Sequence, residues 1–127
     1  MSLYGFVAVG VGAAIGAWAR WGLGLGLNAV FPLLPLGTLV ANLAGGYVMG
    51  LAMGVISLGG VFSPELRLLV TTGFLGGLTT FSTFSAEAVD LFTRGEYGWA
   101  SVHVLSHVAG SLLMTALGVL TVQMLKS

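Results

Sequence analysis

The chain has 127 residues, four Lys+Arg, four Asp+Glu and a formal net charge of +0, and 57% of it is hydrophobic. With 6% charged residues and a mean hydropathy of +1.04, against about 25% charged in a soluble domain, it cannot clothe a water-facing surface, so a soluble enzyme and a disordered chain are both excluded. No basic cluster exists for nucleic acid, and the absence of cysteine removes disulfides and thiolate metal sites. The class is a small integral membrane protein, and 21 glycines point to helices packed backbone to backbone.

A bilayer core about 30 Å thick takes about 20 apolar residues per helix. Four stretches meet that length: Leu3 to about Val30, interrupted by Arg20 and closed by Pro32 and Pro35; Leu36 to about Leu58, uncharged and stopped by Gly59-Gly60; about Arg67 to Phe92; and Trp99 to Leu125, also uncharged. None alternates with the two-residue period of a membrane β-strand. The expected fold is all-α, one membrane domain of four spans over residues 1–127. Met1 to Ala19 ends Ala17-Trp18-Ala19, similar to a signal-peptide cleavage site, but the basic leader of a signal peptide is missing, so the segment reads as the first span.

Loop Lys and Arg set orientation. Arg67 and Lys126 fall on one side, Arg20 and Arg94 on the other, so the bias is nearly nil. Either the chain inserts both ways, or the insertion machinery and lipids fix one topology. Four helices are few for two inverted halves, and an antiparallel homodimer supplies the inversion with two copies. Gly46-xxx-Gly50-xxx-Gly54 or Gly12-xxx-Gly16 would serve as its interface, unless those faces pack within one chain.

Polar residues inside a span are functional until shown otherwise. Arg20 lies about 25 Å along the first helix, flanked by Trp18 and Trp21, and reads as an interfacial anchor or as a positive charge at the mouth of an anion path. Asn42 follows Thr38 by one turn and serves as interhelical glue or as a path amide.

The third stretch is the most informative. Gly76-Gly77 followed by five hydroxyls among Thr79, Thr80, Ser82, Thr83 and Ser85 is a poor recipe for a straight helix in lipid. A break over Gly76 to Thr80 is expected, tolerated only where buried in protein or lining a cavity, with freed carbonyls able to hold a cation; the alternative is a helix kinked but intact. Phe81 and Phe84 fall one turn apart. Because an aromatic edge is positive, two such edges would draw a small anion without a full charge. Glu87 is a path residue or a helix-end carboxylate, and Asp90 with Arg94 forms an i, i+4 pair.

The last helix carries one polar stripe, His103, His107, Ser111 and Thr115. Two histidines without a cysteine or a nearby carboxylate are a poor metal site, so the stripe is expected to face a path or another helix. No nucleophile, base and acid can be assembled, and no nucleotide motif occurs.

The string Gly76-Gly77-Leu78-Thr79-Thr80-Phe81-Ser82-Thr83-Phe84, with Gly16-Ala17-Trp18-Ala19-Arg20-Trp21 and Gly37-Thr38-Leu39-Val40-Ala41-Asn42-Leu43 in support, strongly resembles the Fluc/CrcB family of bacterial fluoride channels. The resemblance covers essentially the whole chain. It implies a passive, fluoride-selective channel in the bacterial cytoplasmic (inner) membrane, built as an antiparallel dual-topology homodimer with two pores. It also implies a structural Na+ at the dimer axis, held by the backbone carbonyls of Gly76 and Thr79 of each protomer. Asn42, Phe81 and Phe84 would line the fluoride path, Ser82, Thr83, Ser111 and Thr115 would provide a hydroxyl track, and Arg20 would stand in the vestibule. A proton-coupled exporter of the small multidrug type would need a membrane-embedded acid; the first two spans have none, and Glu87 is the one acid near a span interior. An accessory subunit without transport of its own would leave the polar stripes and the broken helix without a purpose.

Overall fold

The computed structural model describes residues 2–59 and 62–127, and the described residues fold as helices joined by short turns. Helix α1 covers Leu3–Leu27 and α2 covers Leu36–Ser57. The third stretch comprises α3 (Pro64–Arg67), a π-helical turn (Leu68–Leu75), α4 (Gly76–Leu78) and, after an interruption, α5 (Phe81–Thr93). Helix α6 runs over Tyr97–Lys126. Three helices, α1, α2 and α6, are long and apolar enough to cross a membrane. The run 64–78 and α5 each reach only about 20 Å at about 1.5 Å per residue, so neither crosses a bilayer core by itself.

Local chemistry sets the helix ends. Ser2 and Ser63 cap α1 and α3, their Oγ atoms accepting from the N–H groups of Gly5 at 2.9 Å and Leu66 at 3.1 Å. Pro64 follows in the first turn, where its missing N–H costs nothing. The first helix ends at Leu27, short of the expected Val30, because Asn28 turns to the next element: its Oδ1 accepts from the N–H groups of Gly37 (2.8 Å) and Thr38 (3.3 Å), capping α2, whose Pro35 has no side chain for the task. Gly59 closes α2 at φ 79°; its expected companion Gly60 lies outside the described residues. Gly95, at φ 78°, ends α5 in the same way.

The helices pair through glycine. Helix α1 lies along the π-helical turn and α4, α2 lies along α6, and α5 packs on α6. A Cβ on Gly12 or Gly16 would run into the carbonyls of Leu69 and Phe74, and one on Gly50 or Gly118 into those of Thr115 and Tyr47. Both glycine stripes are therefore consumed inside one chain, Gly46 and Gly54 against Ser111, Thr115 and Val122 included. Of the two readings of these stripes, packing within one chain is the one the structure bears out. Among the described residues buried apolar side chains are few and centre on Ala41, Leu75 and Leu78, whereas Trp21, Leu25 and Leu112 stand two-thirds or more exposed. An apolar exterior around a glycine-packed interior suits a lipid solvent.

Candidate functional site: the break and its cleft

The interruption falls at Thr79 and Thr80, both extended at φ −86°, ψ 156° and φ −151°, ψ 120°. This narrows the expected break over Gly76 to Thr80, since Gly76–Leu78 remain helical. Two glycines weaken a helix without ending it; side chains from other elements end it. In a continuous helix the Thr80 N–H would bond the Gly76 carbonyl, but here it donates to Asn42 Oδ1 at 2.8 Å. Asn42 Nδ2 donates in turn to the Thr80 carbonyl at 3.1 Å, so one amide replaces the partner that the Thr80 N–H lost and adds a second donor to its carbonyl, which as the N-cap carbonyl also accepts the first bond of α5. The Thr83 N–H, which would otherwise reach the Thr79 carbonyl, donates to Thr80 Oγ1 at 3.1 Å and starts α5.

The break thus presents two polarities. Helix α4 ends in carbonyls, and α5 begins with N–H groups at the positive end of its dipole. Arg20 belongs to the carbonyl side: its Nε donates to the Gly77 carbonyl at 3.1 Å, from a half-buried position. A cation at a helix C-terminus is favoured by the dipole. Arg20 braces the break rather than merely anchoring α1 at an interface.

Beside the break lies a cleft of about 490 Å³. It gathers Asn42 from α2, Gly76 from α4, Thr79 and Thr80 from the break, Phe81 and Phe84 from α5, and His107, Ser111 and Thr115 from α6. Of the remaining site residues, Ser82 opens instead on a shallow depression with Ser85 and Asp90. Thr83 is half-buried beside the cap and lines neither surface. Thr115 donates to the Gly46 carbonyl at 2.9 Å, so its hydroxyl ties α6 to α2 as well as facing the cleft.

The two phenylalanines differ. Phe84 is 7% exposed and Phe81 77%, with ring centroids 5.4 Å apart at 65°, an edge-to-face pair. Phe84 also lies against both imidazoles, 5.2 Å from His103 and 4.7 Å from His107. The stripe on α6 divides accordingly, with the two histidines buried and Ser111 and Thr115 half-buried along the cleft.

Glu87 is neither a helix-end carboxylate nor remote from the histidines. Its Oε2 accepts from Thr38 Oγ1 at 2.7 Å and its Oε1 lies 3.5 Å from His103 Nε2. The expectation that the histidines lack a nearby carboxylate is therefore corrected. The i, i+4 periodicity of α6 finds the pair of histidines, but no local signal shows that Glu87 on α5 meets His103, or that Thr38 on α2 holds Glu87. Asp90 and Arg94 pair at 3.1 Å on the exposed end of α5, where such a bridge contributes little.

Sequence comparison adds the kinship. The CrcB-like protein, Camphor Resistance (CrcB) profile matches residues 7–119. Among curated proteins, one from Cupriavidus taiwanensis is 59% identical over 125 residues, 98% of this chain and 99% of the relative. One from Nitrosospira multiformis is 57% identical over 125 residues, 98% of each chain, and one from Pseudomonas putida is 58% identical over 119 residues, 94% of each. All three are named "Fluoride-specific ion channel FluC". With the profile spanning the break, the cleft and both glycine-packed helix pairs, the chain belongs to the CrcB-like protein family, whose curated relatives are ion channels and not enzymes.

Proposed function

We propose that this chain is a passive, fluoride-selective anion channel. The observation that carries the reading is the cleft at the broken helix, where Asn42, Phe81, Phe84, Ser111 and Thr115 converge in a chain whose close relatives bear that name. Phenyl edges and hydroxyls favour a small anion, and the N-terminal end of α5 adds a positive dipole at the same place. Arg20 sets a positive field at its mouth, whereas Ser82 and Thr83 stand outside the cleft. No energy source is required. Neutral HF enters a cell from acidic surroundings and dissociates in the more alkaline cytoplasm, and the membrane potential then drives the anion outward.

The working unit in this reading is an antiparallel, dual-topology homodimer of four-span chains in the bacterial cytoplasmic (inner) membrane, with two pores. Near-balanced loop charges support double insertion, and the exposed ring of Phe81 is a surface for a second copy to cover. A structural Na+ at the dimer axis fits the donor set. The N–H groups that a continuous helix would offer to the Gly76 and Thr79 carbonyls are diverted to Asn42 Oδ1 and Thr80 Oγ1. Gly76 itself is exposed, so its carbonyl, like that of Thr79, is available as a hard oxygen ligand of the kind a small cation takes. The ion would neutralise carbonyl dipoles gathered from two protomers.

The test is release of fluoride from proteoliposomes loaded with potassium fluoride, followed by electrode after valinomycin, beside a chloride-loaded control. Fast valinomycin-dependent fluoride release with negligible chloride release is the expected result. Folded, reconstituted protein that releases neither ion would sink the channel, and release that requires a proton gradient and fails in Glu87→Gln would favour the coupled exporter.

A further inference from the structure

The buried corner where α5 meets α6 holds a carboxylate and two imidazoles, of which His107 also lines the cleft. His103 is 0% exposed and His107 3%, their ring centroids 4.5 Å apart, with Glu87 Oε1 3.5 Å from His103 Nε2. One ligand-capable atom from each of Glu87, His103 and His107 lies within 4.8 Å of the other two. Glu87 Oε1, His103 Nδ1 and His107 Nε2 are buried and have no hydrogen-bond partner among the described residues. Buried polar atoms are normally paired, and three orphans in one place call for a ligand.

We propose that Glu87, His103 and His107 form a site for a divalent transition-metal ion of the zinc type. Two imidazoles and a carboxylate are a donor set that zinc takes with one position left open. Imidazole nitrogen disfavours Na+, Mg2+ and Ca2+, and the carboxylate disfavours an anion. Ligand atoms about 2.1 Å from a tetrahedral ion stand about 3.4 Å apart, so side-chain adjustments of about an ångström close the site. Thr38 Oγ1 already holds Glu87 Oε2 at 2.7 Å, and His103 Nε2, which faces Glu87 Oε1, has the Phe84 carbonyl at 3.3 Å, a contact that a metal bound through Nε2 would replace.

The third ligand couples the site to the cleft. Asn42 Nδ2 lies 2.9 Å from His107 Nδ1, and because Thr80 fixes the amide's orientation on both sides, Asn42 is the donor and Nδ1 the acceptor. The ring proton then sits on Nε2. A metal that takes Nε2 moves that proton to Nδ1, where it faces the Asn42 N–H, and a metal that takes Nδ1 displaces the amide outright. Either way the ion dislodges Asn42, the side chain that braces the break. Zinc is accordingly an inhibitor of transport, entering through the cleft that His107 lines; this consequence rests on the channel reading, whereas binding does not.

The full-length protein in detergent is titrated with Zn2+ by calorimetry and with Co2+ by visible absorption, and the same preparation is assayed for fluoride release with and without Zn2+. Expected are one ion per chain, a tetrahedral Co2+ spectrum, and release slowed at least about tenfold by Zn2+ and restored by EDTA. His103→Gln and Glu87→Gln each weaken Zn2+ binding by more than about 100-fold, beyond the 10–100-fold loss typical of a supporting group. Absence of a Co2+ spectrum and of Zn2+ uptake in the unmodified protein overturns the site, as does unchanged affinity in either variant that purifies folded. Protein that binds Zn2+ but moves no fluoride defeats the channel reading and leaves the site standing. Protein that moves fluoride unaffected by bound Zn2+ overturns the coupling to Asn42.

Discussion

Asn42 carries more of this molecule than its size suggests, because a single amide supplies an acceptor and a donor to one residue of broken backbone. Leaving a buried polar group unpaired costs about 1–3 kcal/mol, and truncation strands the Thr80 N–H, whose acceptor is Asn42 Oδ1. Asn42→Ala is therefore expected to lower the thermal midpoint of the purified protein and to reduce fluoride release at least about tenfold, a change that needs only about 1.4 kcal/mol of barrier. Retained stability and flux would remove Asn42 from both roles. The two phenylalanines separate on the same pair of assays. Both Phe81→Ile and Phe84→Ile are expected to cut release while the protein's elution volume stays unchanged. Only Phe84→Ile also loses stability, about 1 kcal/mol, because Phe84 is buried against two imidazoles whereas Phe81 is 77% exposed. Unchanged flux in both variants would end the pore-lining assignment.

Helices in this chain are held by proximity of backbones rather than by interdigitated large side chains. Gly50 sits where a Cβ would meet the Thr115 carbonyl on α6, whereas Gly98, at the start of α6, faces open space. Overpacking of that kind costs about 1–3 kcal/mol, while relief of glycine's backbone entropy in a helix gains about 0.5–1 kcal/mol. Gly50→Ala should lower the thermal midpoint and Gly98→Ala should hold or raise it; the reverse order would refute backbone contact as the source of α2–α6 packing. The π-helical turn at Leu68–Leu75 belongs to the same logic. Thr71 Oγ1 donates to the Arg67 carbonyl at 2.7 Å, and Gly73 lies against the Val9 carbonyl of α1, where a Cβ would come within 2.8 Å. A widened turn follows from local hydroxyl competition and close approach together.

For the whole molecule the open question is which way it points. An antiparallel homodimer places equal numbers of C-termini on each side of the membrane. The chain has no cysteine, so Ser127→Cys creates a single label site. A membrane-impermeant maleimide applied to intact cells is expected to modify about half of the protein, with the remainder reached after permeabilisation, as two-fold symmetry across the membrane requires. Labelling wholly before or wholly after permeabilisation would establish one topology and leave the antiparallel dimer without a basis.

Membrane class, the long apolar helices, the neighbourhood of the break and the polar stripe on α6 are all properties of composition and short periodicity, and each is readable along the chain because burial in lipid and helical spacing act over a few residues. The limits of that reading are equally physical. Glycine spacing declares a close-packed face, but whether Gly46 and Gly50 meet a partner or α6 depends on how the helices assemble, and they meet α6. Gly76-Gly77 advertises a weak helix, yet the chain parts at Thr79 and Thr80 because Asn42, 38 residues away in sequence, claims the Thr80 N–H and carbonyl. Glu87 looks like one acid among hydroxyls until α5 folds onto α6 and sets it beside His103. Each of these outcomes is a competition for hydrogen bonds or for space between residues far apart in the chain, and such a competition is settled only when the helices touch.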